Sequence, residues 1–439
     1  MNDLLKNLSD KLDASGGTLA RLDTYYSGTQ PTAFLSKEAR EALGDRLKVL
    51  AVNFPRLAVH ALAERLQVSG FRRAGSEAPD SALWADWRRN RMEDAAAQAH
   101  VDALVYGRSF VIVWAGPRGP LVTVESARQV AVIRDPATRE VTAALKRWVA
   151  DGKGHAVLYE PDQITRYTSA ANVEDPAAMP ATSWEHAETI ANPLGVVPVV
   201  PIVNRGRLLE VDGVSEMDDL LDLSDALNKL LADMMVTSEF YARPRRWASG
   251  LEILEDDDGN PVKPFSAALD DIWQSEDPVT KFGQFDAARL DGYADAVALI
   301  TQQIGALSTL PPHYLGLNGD QPPSADAIRS AEASLVSRCY QLQRTFGQAW
   351  ADVARLIIAV REGVDPLAID LDVVWGNPET RTPAQAADAA AKLVSVGVPL
   401  TVVLEDQMGY TPAQIDRVRT AQRTQALDGA GVDLAGLIA

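Results

Sequence analysis

Residues 215–241 read SEMDDLLDLSDALNKLLADMMVTSEFY, with no Pro and no Gly. Leu220, Leu223, Leu227, Leu230 and Met234 step by 3, 4, 3, 4, the narrow apolar stripe of a helix that packs lengthwise against another helix. The same spacing recurs in Leu290, Tyr293, Val297, Ile300 and Ile304, between Asp286 and Leu307. Residues 242–285 join the two predicted helices. They begin with Pro244-Arg245-Arg246-Trp247 and contain Glu255-Asp256-Asp257-Asp258-Gly259-Asn260, which reads as a small α/β excursion with an acidic hairpin tip.

C-terminal to this pair, residues 309–323 hold four Pro and two Gly. That composition makes a long loop, and loops of this length tend to be functional or disordered. Ser324 then reads as an N-cap with Asp326 in the first turn, where the helix dipole favours a negative charge. The helix it opens runs to Glu362 with Gly347 its only interruption, and Gly363 ends it. At 1.5 Å per residue it would span roughly 55 Å, a strut more than a core helix. The remainder, Thr382 to Ala439, reads as three Ala-rich helices over Pro383–Val394, Thr401–Met408 and Thr411–Ala426, with Thr-Pro pairs as N-cap and N1.

N-terminal to the pair, the first hundred residues read as helices. Leu47, Leu50, Phe54 and Leu57, then Val59, Leu62 and Leu66, keep a helical step across Pro55, and Ala82–Ala103 carries Trp84, Trp87, Met92 and Ala96 on one face. The period then changes to 2. Three hairpins are expected: Ser109–Trp114 with Leu121–Val124, Val130–Ile133 with Val141–Trp148, and His155–Glu160 with Gln163–Thr168, forming one antiparallel meander. Pro193, Pro198 and Pro201 make residues 192–201 an extended connector, since that density of Pro denies a helix or a central strand. The fold class expected is α+β, predominantly helical.

The whole chain has 439 residues, 42 Lys+Arg against 60 Asp+Glu, a net charge of −18, a single Cys and 46% hydrophobic residues. That is an ordinary globular composition with length for several domains. One Cys excludes an internal disulfide framework and CxxC metal sites. No apolar run approaches the ~20 residues that cross a bilayer, and the first residues lack a signal-peptide pattern, so neither membrane nor export is expected. Residues 214–305 hold 19 acidic and 7 basic side chains. About a fifth of the chain therefore carries two thirds of its net charge. Each carboxylate alone is most simply a solvated helix face, but the clustering argues against gripping nucleic acid, which relies on Lys and Arg.

Catalytic signatures are missing. There is no phosphate-cradling G-x-x-x-x-G-K-[ST], no dinucleotide fingerprint, no nucleophile elbow and no H-E-x-x-H pair. The five histidines are too dispersed for a local ligand pair. Cys339 lies on the apolar stripe of the long helix, as a buried inert thiol. Asp256-Asp257-Asp258-Gly259 fails calcium-loop spacing, because Pro261 and Ala267 occupy the places of the turn Gly and the closing Glu. No metal and no cofactor is expected. His313 is the one histidine expected in an exposed loop, either as an ordinary loop residue or in contact with a polymer passing that loop.

Taken in order, Tyr25-Tyr26-Ser27-Gly28, Trp84-Ala85-Asp86-Trp87-Arg88-Arg89-Asn90, Gly107-Arg108-Ser109-Phe110-Val111, Asn192-Pro193-Leu194-Gly195-Val196-Val197-Pro198, Ala242-Arg243-Pro244-Arg245-Arg246-Trp247 and Pro322-Pro323-Ser324-Ala325-Asp326-Ala327 are similar to the landmark stretches of portal, or head-to-tail connector, proteins of tailed double-stranded DNA bacteriophages, siphophage branch. The element order resembles that family too. The resemblance implies a wing (1–213), stem helix 1 (214–241), a clip (242–285), stem helix 2 (286–305), a tunnel loop (306–323), a wing strut helix with its following segment (324–381) and a crown (382–439). It implies no catalytic residue. It implies twelve copies in a ring at one capsid vertex, assembled in the host cytoplasm, with partners in the terminase, the head-to-tail adaptor, the major capsid protein and double-stranded DNA moving through without sequence specificity.

On that basis His313, Asn318, Asp320 and Gln321 would approach DNA in the channel. Asp219, Asp222, Asp225, Asp233, Asp286, Asp291 and Asp295 would form an acidic stem face over which phosphate slides. Arg245, Arg246, Trp247, Asp256, Asp257 and Asp258 would dock partners at the clip. For Arg245 and Arg246 a local salt bridge to Glu252 or Glu255 is an equal alternative. Two other classes fit the sequence less well: another ring-forming neck component, and a cytosolic enzyme using carboxylate-bound Mg²⁺, for which no positioned base or phosphate loop is visible.

Overall fold

The long C-terminal helix organises the body of the protein. In the computed structural model, which describes residues 3–33, 51–76, 78–173, 183–241, 246–250, 278–284, 290–317, 324–380 and 383–429, the Ser324 side chain accepts from Ala327 N and Gly363 adopts φ 68° at the other end. The helix between these caps, Ala325–Glu362, has 38 residues. Its inner face carries Leu335, Cys339, Leu342, Phe346, Trp350, Val353 and Ile357, all at or near zero exposure, at the 3-and-4 spacing that aligns side chains along one side.

In chain order the described elements are α1 (Asp3–Ser27), α2 (Phe54–Ala63), β1 (Val68–Arg73), α3 (Ser81–Arg89), α4 (Met92–Tyr106), β2 (Arg108–Gly116), β3 (Gly119–Ser126), β4 (Val130–Arg134), β5 (Val141–Ala150), β6 (Lys153–Tyr159), β7 (Gln163–Asn172), β8 (Trp184–Ala191), β9 (Val199–Val203), α5 (Leu221–Tyr241), β10 (Arg246–Ser249), β11 (Lys281–Gln284), α6 (Asp291–Ser308), α7 (Ala325–Glu362), β12 (Leu371–Trp375), α8 (Pro383–Ser395), α9 (Leu400–Asp406) and α10 (Pro412–Gly429). The whole is a mixture of helices and antiparallel sheets. It divides into two compact units, one comprising 1–30, 51–224 and 302–439, the other 31–50 and 225–301.

In the first unit the expected single meander is two sheets. Strands β4 to β8 form a five-stranded antiparallel sheet in sequence order. Leu5, Leu8 and Leu12 of α1 pack with Ala131, Ala143, Leu145, Ala156 and Leu158 on one of its faces. Its first turn works as the sequence suggests, with Asp135 Oδ1 accepting from Ala137 N at 2.7 Å and Thr138 N at 2.8 Å. The β2–β3 hairpin belongs elsewhere, in a three-stranded sheet of order β3-β2-β9. The Pro-rich connector is thus corrected in part. Val199–Val203 is a strand, in register with β2 so that Pro201 lies opposite Phe110, and it tolerates Pro because it is an edge. Phe110, Val111, Ile112 and Val113 of β2 are all buried, since α4 and α7 both pack on this sheet.

Three further differences have local causes. The helix expected over 82–103 is two helices, because Arg91 takes φ 55° between α3 and α4, a left-handed conformation that breaks the ladder. β1 pairs with β12, Phe71 opposite Val373, and neither short strand is visible in the pattern. The helix expected from Ser215 starts at Leu221 after one 3₁₀ turn, because residues 214–216 are drawn into backbone bonds, Val214 N to the Asn204 carbonyl and Glu216 N to the Leu104 carbonyl. An aromatic cluster seals the core. Trp87 meets Trp350 edge to face at 5.1 Å, and Trp350 Nε1 donates to Nε2 of the fully buried His100 at 2.8 Å.

The C-terminal helices follow the sequence closely. Thr411 and Gln414 form a reciprocal cap, Thr411 N donating to Gln414 Oε1 at 2.8 Å and Gln414 N to Thr411 Oγ1 at 3.4 Å. In the second unit, Thr237 of α5 and Tyr293 of α6 are joined hydroxyl to hydroxyl at 3.3 Å, and β10 pairs antiparallel with β11, placing Trp247 opposite Gly283.

Candidate functional site

Helix α5 leaves the first unit near its N-terminus and α6 returns to it near its C-terminus, and both connections are tied to α7. At the departure, Arg338 of α7 forms a bidentate pair with Glu216, Nη2 to Oε2 at 2.8 Å and Nε to Oε1 at 3.3 Å, and Nη2 also donates to Asn204 Oδ1 at 3.2 Å. Asn204 completes the knot, its Nδ2 donating to Glu216 Oε2 at 3.1 Å and to the Val214 carbonyl at 2.9 Å. Gly107 and Gly213 stand back to back beside it. Gly213 has φ +75°, and a Cβ there would lie 2.2 Å from the Gly107 carbonyl oxygen, so no other residue fits.

At the return, Arg65 plays the matching part. Its Nη2 donates to Glu332 Oε1 of α7 at 3.1 Å and to the Tyr314 hydroxyl at 3.0 Å, and its Nη1 to Thr380 Oγ1 at 3.1 Å and the Pro378 carbonyl at 3.4 Å. One guanidinium therefore holds the long helix, the turn after α6 and the segment before α8. Glu332 and Arg338 are six residues apart on α7, about 9 Å along its axis. The turn after α6, Pro312–Leu315, is 3₁₀. It seats Leu315 against Gly305 so closely that a Cβ there would be 2.5 Å from Leu315 Cδ1.

His313 occupies this turn and is not the exposed loop residue expected. Its side chain is 28% exposed, its Nε2 is 3.6 Å from Glu332 Oε1, and its ring lies 5.0 Å from that of Tyr314. Asn318, Asp320 and Gln321 lie outside the described residues, as do Asp286, Arg245, Asp256, Asp257 and Asp258. Arg246 is the first residue of β10. Trp247 is 40% exposed and crosses Gly283, where a Cβ would come within 2.6 Å of the indole.

The described acidic residues divide by environment. Asp222, Asp291 and Asp295 are exposed, and Asp225 is half-buried. Asp291 opens α6, where the helix dipole favours it. Asp219 pairs with Arg205 at 2.9 Å, and Asp233 with Lys229 one turn before it. Burial works against the Arg205 charge, but the bond with Asp219 and the fields of Glu216, Asp219 and Asp218 outweigh it, leaving its pKa above the ordinary value. The apolar seam also shifts. Among the described side chains of α5 the buried positions are Leu221, Ser224, Leu227, Asn228 and Ala232, with Leu220 just before the helix, while Leu223, Leu230 and Met234 of the expected stripe are half-exposed. In α6 Ile304 is buried, and Leu299 and Leu307 are 58% and 55% exposed.

Cys339 is fully buried, and burial pushes its thiol up to about 11, consistent with an inert core residue. Among the described residues no three His, Cys, Asp or Glu side chains gather so as to hold a metal ion, and no helix is long and apolar enough to cross a membrane. The sequence reading missed Arg65, Glu332, Arg338, Glu216 and Asn204.

A family model and two curated relatives point to one family. Residues 5–417 match the family model described as phage portal protein, SPP1 Gp6-like. The portal protein of Mycobacterium phage D29 is 33% identical over 432 residues, covering 91% of this chain and 86% of the relative. That of Mycobacterium phage L5 is 32% identical over 430 residues with the same coverage. Among solved structures, a chain in the neck of an empty gene transfer agent particle aligns with a TM-score of 0.49 at 13% identity, covering 84% of this chain and 91% of that one. With its family model spanning nearly all of the sequence and relatives of this identity along most of their length, the chain belongs to the SPP1 Gp6-like phage portal protein family.

Proposed function

We propose that twelve copies of this chain form a ring at one vertex of a phage capsid, and that double-stranded DNA enters and leaves the head through its axial channel. Helices α5 and α6 serve as the stem, residues 242–285 as the clip, 306–323 as the tunnel loop and the C-terminal helices as the crown. The terminase and later the head-to-tail adaptor dock on the clip, and the major capsid protein surrounds the body. No catalytic role is assigned to any residue.

The observation that carries this reading is the paired tie to the long helix of the segments that flank α5 and α6, together with exposed Asp222, Asp291 and Asp295 on helices that keep large apolar side chains outside. Half-exposed Leu223 and Leu230 and exposed Leu299 suit lateral packing between copies, while carboxylates facing a channel, Asp291 and Asp295 among them, repel phosphate and let DNA slide. His313, anchored near Glu332, and the loop residues Asn318, Asp320 and Gln321 are assigned to the channel constriction.

Light scattering and negative-stain microscopy of the purified full chain test the reading directly. A ring of several hundred kilodaltons with a central hole is expected. A monomer at every protein and salt concentration refutes it. Asp320→Lys should then slow DNA packaging, and unchanged packaging would remove the loop from the channel.

A further inference from the structure

The chain is strongly acidic, yet one corner of the first unit gathers cations around an apolar tip. Residues 205–212, leading from β9 toward α5, present Leu208 at 77% and Leu209 at 95% exposure. The tip is held in place. Arg139 Nη2 donates to the Leu208 carbonyl at 3.1 Å, Arg207 pairs with Glu210 at 2.9 Å, Lys11 pairs with Asp212 at 3.1 Å, and Arg108 Nη1 donates to the Asp212 carbonyl at 3.2 Å. Beside it Arg134 Nε is buried without a hydrogen-bond partner among the described residues. Burial lowers the Arg134 pKa, and the field of Arg139 adds to that against the pull of Asp212. A groove of about 770 Å³ opens here, with Val200, Leu356 and Leu367 among its lining residues.

Buried polar atoms without partners are uncommon in native proteins and call for an explanation. An apolar tip beside surplus guanidinium groups is one half of an interface whose other half is acidic and apolar. A cyclic ring needs such a pair on every copy, because its contacts are heterologous, joining one patch to a different patch on the neighbour. Rotation about the ring axis also keeps each residue at its own height. The cationic corner is bonded to the start of α5 through Arg205 and Asp219 at 2.9 Å, so the surface it meets on a neighbour lies at that level. Asp218 and Asp222 are exposed there, with half-exposed Leu223 beside them.

We infer that Arg134, Arg139 and the Leu208–Leu209 tip receive the first turn of α5 from the next copy, placing its Asp218 and Asp222 against the two guanidinium groups. The inference rests on the ring reading above and adds which surfaces meet.

Charge reversal distinguishes the two. The full chain is made as Arg134→Glu/Arg139→Glu and separately as Asp218→Lys/Asp222→Lys. Each variant alone opposes like charges at every contact and should yield at least tenfold fewer rings than wild type by negative stain at equal concentration. Mixed one to one, the variants can alternate around the ring so that every contact joins opposite charges, and rings should return. Wild-type yield from either variant, or no recovery on mixing folded variants, overturns the pairing while wild-type rings leave the ring reading intact. If a reversed variant fails to fold by circular dichroism, Leu209→Asp, at a nearly fully exposed position, decides in its place: a tenfold loss of rings supports the contact and an unchanged yield overturns it. Wild-type chain that never forms rings overturns the ring reading itself.

Discussion

Truncating Arg338 to Ala tests the tie between the long helix and the start of α5. The Arg338 and Glu216 side chains are 15% and 12% exposed. Arg338→Ala leaves the Glu216 carboxylate largely shielded, with the Asn204 amide at 3.1 Å as its remaining hydrogen-bond donor of those described here. Removing one partner of a buried ion pair costs about 3–5 kcal/mol. The residual exposure of both groups admits some water, which brings the expected loss to about 2–3 kcal/mol. That is roughly a 30- to 150-fold fall in the folded-to-unfolded ratio. Replacing both partners, as Arg338→Met with Glu216→Leu, leaves no stranded charge and should stay within about 1 kcal/mol of wild type. Urea titrations followed by tryptophan fluorescence at one fixed protein concentration measure all of these. A loss below about 0.5 kcal/mol for Arg338→Ala, or a double variant as unstable as the two single variants added together, would show that this pair does not hold the junction.

Three further outcomes are expected. Burial holds His100 at a pKa of about 3, so the folded protein refuses a proton that the unfolded chain accepts below about 6.5. The stability this supports is complete above pH 6.5 and is lost as pH falls, by about 2 kcal/mol at pH 5. His100→Gln keeps an acceptor for Trp350 and should flatten that part of the pH profile, and an unchanged slope would assign the acid sensitivity to other groups. Gly213→Ala should destabilise the fold by more than about 2 kcal/mol, because φ is +75° and Cβ would strike the Gly107 carbonyl. Gly16→Ala, in the exposed interior of α1 with nothing within 4 Å, should stabilise by about 0.5–1 kcal/mol; thermal melts that reverse this order would contradict both assignments. Finally, the proposed ring of twelve copies at −18 each would carry −216, so ring yield by light scattering should rise as salt screens that repulsion, and indifference to ionic strength would mean the carboxylates face neither each other nor the proposed channel.

The sequence was most legible where structure is dictated locally. Ser324 and Gly363 bound α7 as read, Thr411 caps α10, and Asp135 closes its turn, because capping and turn chemistry act within a few residues. It was least legible where distant segments meet. Nothing in the short run Val68–Arg73 announces a partner at Leu371–Trp375, and the Pro content of β9 hid an edge strand. The junction was invisible for the same reason. Glu332 reads as one more solvated carboxylate on a long helix, and its partner Arg65 lies 267 residues away. The shift of the apolar seam in α5 from Leu223 and Leu230 to Ser224 and Asn228 is instructive in another way. A 3-4 stripe fixes which side of a helix is apolar, but packing chose the neighbouring line, and Ser224 Oγ donates to the Leu220 carbonyl at 2.8 Å to make it burial-tolerant.

The pairing of β1 with β12 has a consequence for synthesis on the ribosome. Val68 and its partner Trp375 are separated by about 300 residues, and at roughly 5–20 residues per second the first strand emerges some 15–60 seconds before the second. Throughout that interval the ladder partners of Val68–Arg73 on Leu371–Trp375 are not yet made, while Phe71, which ends at 1% exposure, must be sheltered by other means. Cells making this protein at high level therefore hold a population of incomplete chains with an open strand edge. Its yield in heterologous hosts should depend on translation speed and chaperone supply more than on the stability of the finished fold.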